Sequence, residues 1–385
     1  MILSGAAIVL PDRIADPATL VLDGERIADV AAGSTPGGRD LHGHLIAPAF
    51  IDVHVHGVEG LDALDGGDVI GRIAARLPRF GVAAFCPTSI ACTPEALRGM
   101  LAGIRAARMD PRRDAARVLP AHLESNFINA EFKGAQPLSC ICSPRGRAEG
   151  DFTGREILAE IEAARPDVGI VTLAPEVEGV LDLIPELVGY GHRVSLGHSG
   201  ATYEQARAGI AAGARHATHL FNRMTGLHHR DPGVAGAVLE STLVAAEIIC
   251  DGIHVHPAAV RAALAAKGPD RIMAITDGTG ASGLPPGARA TLGGRPITVA
   301  DVALLDDGTF AGSVLTMDRA FRVLVNGMGI GVREAARMCA TTPARELGLH
   351  GHGVIAAGAV ADFVILDADL AVVETWISGR PAFVR

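Results

Sequence analysis

Lysine- and arginine-rich stretches are missing from this 385-residue sequence, which carries 34 Lys and Arg against 43 Asp and Glu, a formal net charge of -9. No basic field is available to attract the phosphates of DNA or RNA, so nucleic acid is not expected as a partner. An anionic small molecule would have to be held by a few local cations. Long hydrophobic runs are also absent. The start, Met1-Ile2-Leu3-Ser4, has no basic flank, and its apolar run is broken at Pro11 and Asp12, so neither a signal peptide nor a membrane span is expected and the chain reads as cytoplasmic. No Cys-x-x-Cys pair occurs among Cys86, Cys92, Cys140, Cys142, Cys250 and Cys339. A chain this long needs no covalent staples, and the thiols are expected to be reduced. Cys140-Ile141-Cys142 offers two thiols, too few to close a structural zinc site. Neither a G-x-G-x-x-G fingerprint nor a P-loop appears, which argues against a nucleotide-binding sheet. Internal repeats and low-complexity linkers are lacking too.

What is present is a large apolar inventory, 49% of residues against 20% charged, enough to bury a core throughout. The length suits a barrel of roughly 250 residues plus one smaller unit. The first 45 or so residues read as short strands: Ala6 to Leu10, Thr19 to Leu22, an Asp23-Gly24 turn, and Arg26 to Val30. The last 35 repeat this style, with Phe363 to Leu366 and Val372 to Ile377. Neither end could bury a core alone, so the two are expected to join as one small β-sandwich domain, residues 1–47 with 349–385. Between them, over 48–348, short apolar runs alternate with helical segments in the manner of parallel βα units. Eight strands are expected: 50–55, 82–86, 118–123, 168–173, 193–196, 216–220, 245–250 and 272–276. Thr93-Pro94-Glu95 and Thr202 with Gln205 mark helix starts. The fold class is therefore α/β, a (β/α)8 TIM-type barrel with a second β domain built from both termini.

The polar residues fall in a telling place. His54, His56, Glu124, His198, His219, His254 and Asp277 all lie at or just past the ends of expected strands. In a barrel those ends meet on one face, where barrel enzymes build their active sites. His54-Val55-His56 alternates on a strand, so both rings point the same way and can share one ion. On its own that pair could be two ordinary loop histidines. With Glu124, His198 and His219 added, five ligand-type side chains stand on four strands, and coincidence becomes a poor explanation.

The segment Pro48-Ala49-Phe50-Ile51-Asp52-Val53-His54-Val55-His56-Gly57 resembles the first-strand signature of the amidohydrolase superfamily. His122-Leu123-Glu124, Leu196-Gly197-His198-Ser199, His219-Leu220-Phe221-Asn222, Asp251-Gly252-Ile253-His254 and Thr276-Asp277-Gly278 then follow one another as in N-acetylglucosamine-6-phosphate deacetylases. Ala311 to Asp318 and Ala361 to Asp367 are similar as well, so the resemblance spans nearly the whole chain. Many amidohydrolases bridge two metals with a carboxylated lysine on the fourth strand. Here the only lysines are Lys133 and Lys267, neither on that strand, which excludes the subtype. In the deacetylase family a glutamate after the third strand takes that place, and Glu124 matches it. The resemblance thus implies one or two divalent ions per subunit, Zn2+ or Fe2+, on His54, His56, Glu124, His198 and His219.

Amide hydrolysis needs a nucleophile and an acid. A bound divalent ion lowers the pKa of water to about 7 and can polarise the carbonyl. The amine leaving group must be protonated as it departs. Asp277 matches the family's single aspartate for both proton transfers; its bland alternative is a cap on the turn after strand eight. For the sugar phosphate the resemblance offers Asn222, Arg230 and His254, a guanidinium suiting a dianion. Arg230 could instead pair with Asp231 on the surface. The family can borrow phosphate contacts from a second subunit, which implies a homodimer. Three departures fall in the pocket. Ser125 and Asn126 follow Glu124 where the family has Gly-Pro, Gln136 replaces a histidine that contacts the substrate carbonyl, and Arg223 replaces a small residue. Gln136 still offers an amide donor and is kept as a substrate contact. The substrate implied is N-acetyl-D-glucosamine 6-phosphate, with another N-acetylated amino-sugar phosphate, such as the galactosamine isomer, as the rival. A non-catalytic binding paralogue is the third reading, and a full set of ligands with its aspartate argues against it.

Overall fold

The computed structural model describes residues 1–385. Eight parallel strands, Phe50–Val55, Val82–Ser89, Ala121–Glu124, Val168–Leu173, Arg193–Leu196, His216–Ala217, Ala245–Ile249 and Ile272–Ile275, pair in sequence order. The ring closes where the Asp277 amide donates to the His54 carbonyl at 3.0 Å and the His56 amide to the Gly278 carbonyl at 2.8 Å. Most strand positions are buried on both faces, so the strands are apolar runs without alternation. Helices follow the strands and start where their caps predict. Thr93 caps Pro94–Met109, and Thr202 with Gln205 forms a capping box on Tyr203–Ala212. A core of 89 buried residues fills the barrel and the layer between its strands and helices.

Three expected strands come out differently. The third is split into Arg117–Val118 and Ala121–Glu124, because Pro120 has no N–H to give the ladder. The sixth stops at Ala217, since the chain turns out of extended geometry and His219 adopts φ 30°. The second runs on to Ser89, beyond the expected Cys86.

Both termini meet, as expected, in one eight-stranded sheet. Leu45–Pro48 lies between Ile2–Val9 and Phe363–Leu366, so residues more than 300 apart in sequence are hydrogen-bonded neighbours. Its own core of 16 residues includes Leu3, Ile8, Ile46, Phe363 and Trp376, with the last two rings stacked 5.3 Å apart. A further three-stranded antiparallel sheet, Arg289–Leu292, Arg295–Val299 and Ala303–Leu305, follows strand eight and has a small core of its own. All six cysteines are free and buried.

Candidate active site

Every strand-end residue named from the sequence except His254 reaches a common centre at the C-terminal face of the barrel. His54 and His56 extend from strand one and place their Nε2 atoms 3.2 Å apart. His198 and His219, from strands five and six, do the same at 3.2 Å, and both rings contact Glu124 Oε1 at 2.8 Å. Asp277 Oδ1 lies 3.1 Å from His56 Nε2 and 3.2 Å from His54 Nε2. Glu124 joins the two groups, with Oε1 3.9 Å from His54 Nε2 and Oε2 3.8 Å from His56 Nε2. His198, His219 and Asp277 all have positive φ, 47°, 30° and 49°. Such backbone is costly for residues with a Cβ and persists where packing imposes it, commonly at functional sites.

The donor set suits metal ions. Glu124, His198 and His219 form one cluster and His54, His56 and Asp277 another, with the ligand atoms of each lying within 4.8 Å of one another. Nitrogens held at 2.0–2.1 Å from a common tetrahedral ion stand about 3.3 Å apart, close to both observed Nε2 pairs. Each Nδ1 faces away from the centre: His198 bonds the Phe132 carbonyl at 2.8 Å, His219 the Asn222 carbonyl at 3.2 Å, and His54 the Glu247 carboxylate at 3.0 Å. Backing of this kind fixes the tautomer and aims Nε2 at an ion. His56 Nδ1 is buried without a partner.

The charges within the centre are strongly interdependent. Burial pulls the His54 ring down to about 4, whereas for His219 the Glu124 carboxylate overcomes the same burial and holds the ring up at about 9. Burial works against ionised Glu124 and Asp277, but the surrounding imidazoles outweigh it and keep both carboxyls below their usual range. Both are thus carboxylates, as metal ligation or base catalysis requires.

A cavity of about 450 Å³ opens over this centre, walled in part by Phe132, Gln136, Phe221, Asn222, His254 and Phe310. A second, of about 510 Å³, lies between the first two barrel helices and the C-terminal strands and holds none of these groups. The Asn222 amide nitrogen is buried without a partner, a donor that a ligand can satisfy. His254 gives its Nδ1 to Asp251 at 2.6 Å, which leaves Nε2 as the free ring nitrogen.

Two of the expected substrate contacts sit differently from the rest. Gln136 lines the cavity, but its amide is engaged: the oxygen accepts from the Ala91 N–H at 2.7 Å and the nitrogen donates to Glu124 Oε2. It therefore braces Glu124 with one amide hydrogen and keeps the second N–H for a ligand. Arg230 does not reach the cavity. It sits on an exposed loop, residues 227–231, and its guanidinium donates to His229 Nε2 at 2.8 Å, with no ion pair to Asp231. The pocket cation is Arg223.

Residues 45–382 match the pattern of the amidohydrolase family. The chain belongs to that family. Among curated relatives, this amidohydrolase is 38% identical over 351 residues to the N-acetylgalactosamine-6-phosphate deacetylase of Escherichia coli O157:H7, covering 88% of each chain. It is 37% identical over 380 residues to the N-acetylglucosamine-6-phosphate deacetylase of Rattus norvegicus, covering 96% of this chain and 89% of that one. Among solved structures, the N-acetyl-D-glucosamine-6-phosphate deacetylase of Mycobacterium smegmatis, a mutant in complex with N-acetyl-D-glucosamine 6-phosphate, superposes with a TM-score of 0.90 at 33% identity. That match covers 100% of this chain and 99% of that one.

Beneath its ligands the amidohydrolase carries a polar layer that sequence reasoning missed. Glu247, on strand seven, is fully buried and touches both His54 and, at 3.7 Å from its Oε1, His122. His122 bonds the Val53 carbonyl at 2.9 Å and Thr172 at 2.8 Å. Asp52, whose carboxyl burial pushes up to about 7, accepts from the Thr276 hydroxyl at 2.6 Å. The available signal was Glu247 itself, an acid in the run Ala245-Ala246-Glu247-Ile248-Ile249 that has no solvent-facing side in a barrel.

Proposed function

We propose that this amidohydrolase converts N-acetyl-D-glucosamine 6-phosphate to D-glucosamine 6-phosphate and acetate. The observation that carries the reading is the joined pair of ligand clusters at the floor of a sugar-sized cavity, with Asp277 of the second cluster lining that cavity. The relatives named above supply the substrate class. Glu124, His198 and His219 would hold one divalent ion and His54, His56 and Asp277 a second, Zn2+ or Fe2+ by the nitrogen and oxygen character of the donors. An ion held there supplies Lewis acidity and a water made acidic near neutral pH.

The chain's own residues handle the protons. Asp277, ionised at the start, takes one proton from the attacking water and returns it to the sugar nitrogen as the C–N bond breaks. The water oxygen and its second hydrogen leave on acetic acid, which at neutral pH ionises to acetate and yields that proton to the amine, so the products are acetate and the ammonium form of the sugar. Gln136 and the two Glu124-bound rings keep the Glu124 carboxylate fixed while charge builds on the carbonyl oxygen. Asn222 and His254 face the substrate from the cavity wall.

We place the chain in the cytoplasm, a setting favoured by six unpaired buried thiols. No helix is long and apolar enough to cross a membrane. A homodimer is supported by exposed Leu227, Ile253 and Phe310, at 61%, 49% and 43%, on segments that flank the cavity.

The decisive experiment measures acetate release from N-acetylglucosamine 6-phosphate and from unphosphorylated N-acetylglucosamine, using protein of counted metal content. Preference for the phosphate supports the reading; a metal-loaded protein inert on both overturns it. The galactosamine isomer is the second reading, favoured by the 38% identity to a deacetylase named for that sugar. Comparing kcat/KM for the two epimers separates them.

A further inference from the structure

One carboxylate ties together three loops at the C-terminal face of the barrel while standing outside the cavity wall. Glu176 follows strand four in the segment Ala174-Pro175-Glu176. Its Oε1 accepts from the Asn129 side-chain amide at 3.0 Å and from the Gly200 N–H at 2.5 Å, and its Oε2 accepts from the Ser199 hydroxyl at 2.7 Å. These donors belong to the loops after strands three and five. All three are uncharged, so the carboxylate serves as the acceptor of a hydrogen-bond bracket, each bond strengthened by its charge.

Every branch of the bracket leads to His198. Ser199 and Gly200 directly follow it, and the His198 backbone is held at φ 47°, a conformation that a residue with a Cβ keeps only under restraint. Asn129 donates its backbone N–H to the His198 carbonyl at 3.0 Å, and its own carbonyl accepts from the Phe132 N–H at 3.0 Å. Its side-chain oxygen caps the short helix Ala130–Phe132 by accepting from the Glu131 N–H at 2.9 Å. The Phe132 carbonyl at the end of that helix is the acceptor for His198 Nδ1, at 2.8 Å. A Cβ on Gly200 would come 2.7 Å from the Phe132 ring and 3.0 Å from the Asn129 amide nitrogen, so the glycine lets the two loops close on each other. The backbone of His198 and the direction of its ring thus both trace to one carboxylate.

We infer that Glu176 is a positioning residue for His198, fixing the strained backbone through Ser199 and Gly200 and the ring through Asn129 and Phe132. The inference rests on the divalent ion proposed above for Glu124, His198 and His219. An imidazole holds an ion tightly only when Nε2 is aimed at it, and groups that orient a ligand from behind are worth about 10- to 100-fold in metal affinity. The carboxylate form matters because all three neighbours donate to it. A glutamine there would keep one acceptor oxygen and turn an N–H toward one of those donors. His54 and His56 stand on strand one and make none of these bonds, so the effect belongs to the Glu124 cluster alone.

The test compares Glu176→Ala, Glu176→Gln and, as a control, Glu178→Ala, which removes an exposed carboxylate two positions along. Metal-free protein is titrated with Zn2+ in competition with a chromophoric chelator, and the Co2+ form is followed by its visible spectrum. Glu176→Ala should lose about 10- to 100-fold in affinity for one ion and shift the cobalt spectrum, while the second ion binds as in the wild type. Glu176→Gln should fall between the two, Glu178→Ala should match the wild type, and KM for the sugar phosphate should hold, because Glu176 lies outside the cavity wall. In metal-free protein with ring-labelled histidine, the His198 Nδ1 proton should exchange with solvent faster in Glu176→Ala. Wild-type zinc affinity with an unshifted cobalt spectrum in Glu176→Ala overturns the inference, as does an equal loss for both ions, the mark of a general loosening of the fold. If Glu176→Ala does not fold, Glu176→Gln carries the same comparison. If the metal-loaded wild type releases no acetate from the sugar phosphate, it is the proposed substrate that fails, and the zinc titration still decides the role of Glu176.

Discussion

Glu247 Oε2 lies 3.0 Å from His54 Nδ1, with both side chains fully out of solvent inside the barrel. Among the four clustered imidazoles, His54 is the one whose Nδ1 is backed by a carboxylate; two of the others rest on backbone carbonyls. A charged acceptor makes the opposite ring nitrogen a stronger donor to an ion. Replacing Glu247 with Leu should weaken metal binding about 10- to 100-fold at the His54/His56/Asp277 cluster and leave the Glu124 cluster loaded. Elemental analysis after dialysis against a chelator series would read this directly. Glu247→Gln, which keeps an acceptor, should fall between Leu and wild type, and equal metal content in all three would refute the idea.

Asp277→Asn removes the group that moves the proton while keeping its shape. Turnover should fall by roughly 10²- to 10⁴-fold. Metal content should hold at the Glu124 cluster. Near wild-type kcat would remove Asp277 from the mechanism.

Chelation should cost stability as well as activity. Without ions, four imidazoles and two carboxylates remain crowded in a buried space, and an ion at 100 times its Kd contributes about 2.7 kcal/mol to the folded state. Dialysis against dipicolinate should therefore lower the melting temperature, and adding back Zn2+ should restore it. A melting curve indifferent to metal would show that the clusters hold none.

Glu346 gives a pH signature away from the active site. Burial opposes its ionisation, but the His216 ring and Arg345 outweigh that and bring its carboxyl down to about 2 from an ordinary 4.5. A folded pKa below the unfolded one stabilises the fold above about pH 4.5, and the advantage fades as pH falls toward 2. Glu346→Gln should melt about 2 °C below wild type at pH 7, with the gap closing below pH 4.5. A gap of constant size down to pH 3 would contradict this origin.

The barrel was legible because its strands are buried on both faces and stand out as apolar runs, and because His54, His56, Glu124, His198, His219 and Asp277 interrupt or end those runs. Less visible was anything set by three-dimensional closure. Pro120 split a strand that composition alone made continuous. The hairpin across Gly293-Gly294 passed unnoticed despite its turn signal, though it helps wall the cavity through Leu292. Arg223 and Arg230 are seven positions apart on one loop, and only the path of that loop shows which of them faces inward. Gln136 could donate in principle; its two bonds to Ala91 and Glu124 emerge only once the strands are in place.

The sheet that joins the two ends of the chain bears on how the molecule is made. Leu45–Pro48 needs Phe363–Leu366 beside it, and the first barrel strand begins directly after Pro48. On the ribosome the early strands emerge long before their neighbour exists, and contacts so distant in sequence form slowly. Until Phe363–Leu366 leaves the exit tunnel, one side of Leu45–Pro48 is an unpaired edge beside an apolar core, the kind of surface that chaperones cover. A strand translated more than 300 residues later thus seals the foundation of the first barrel strand.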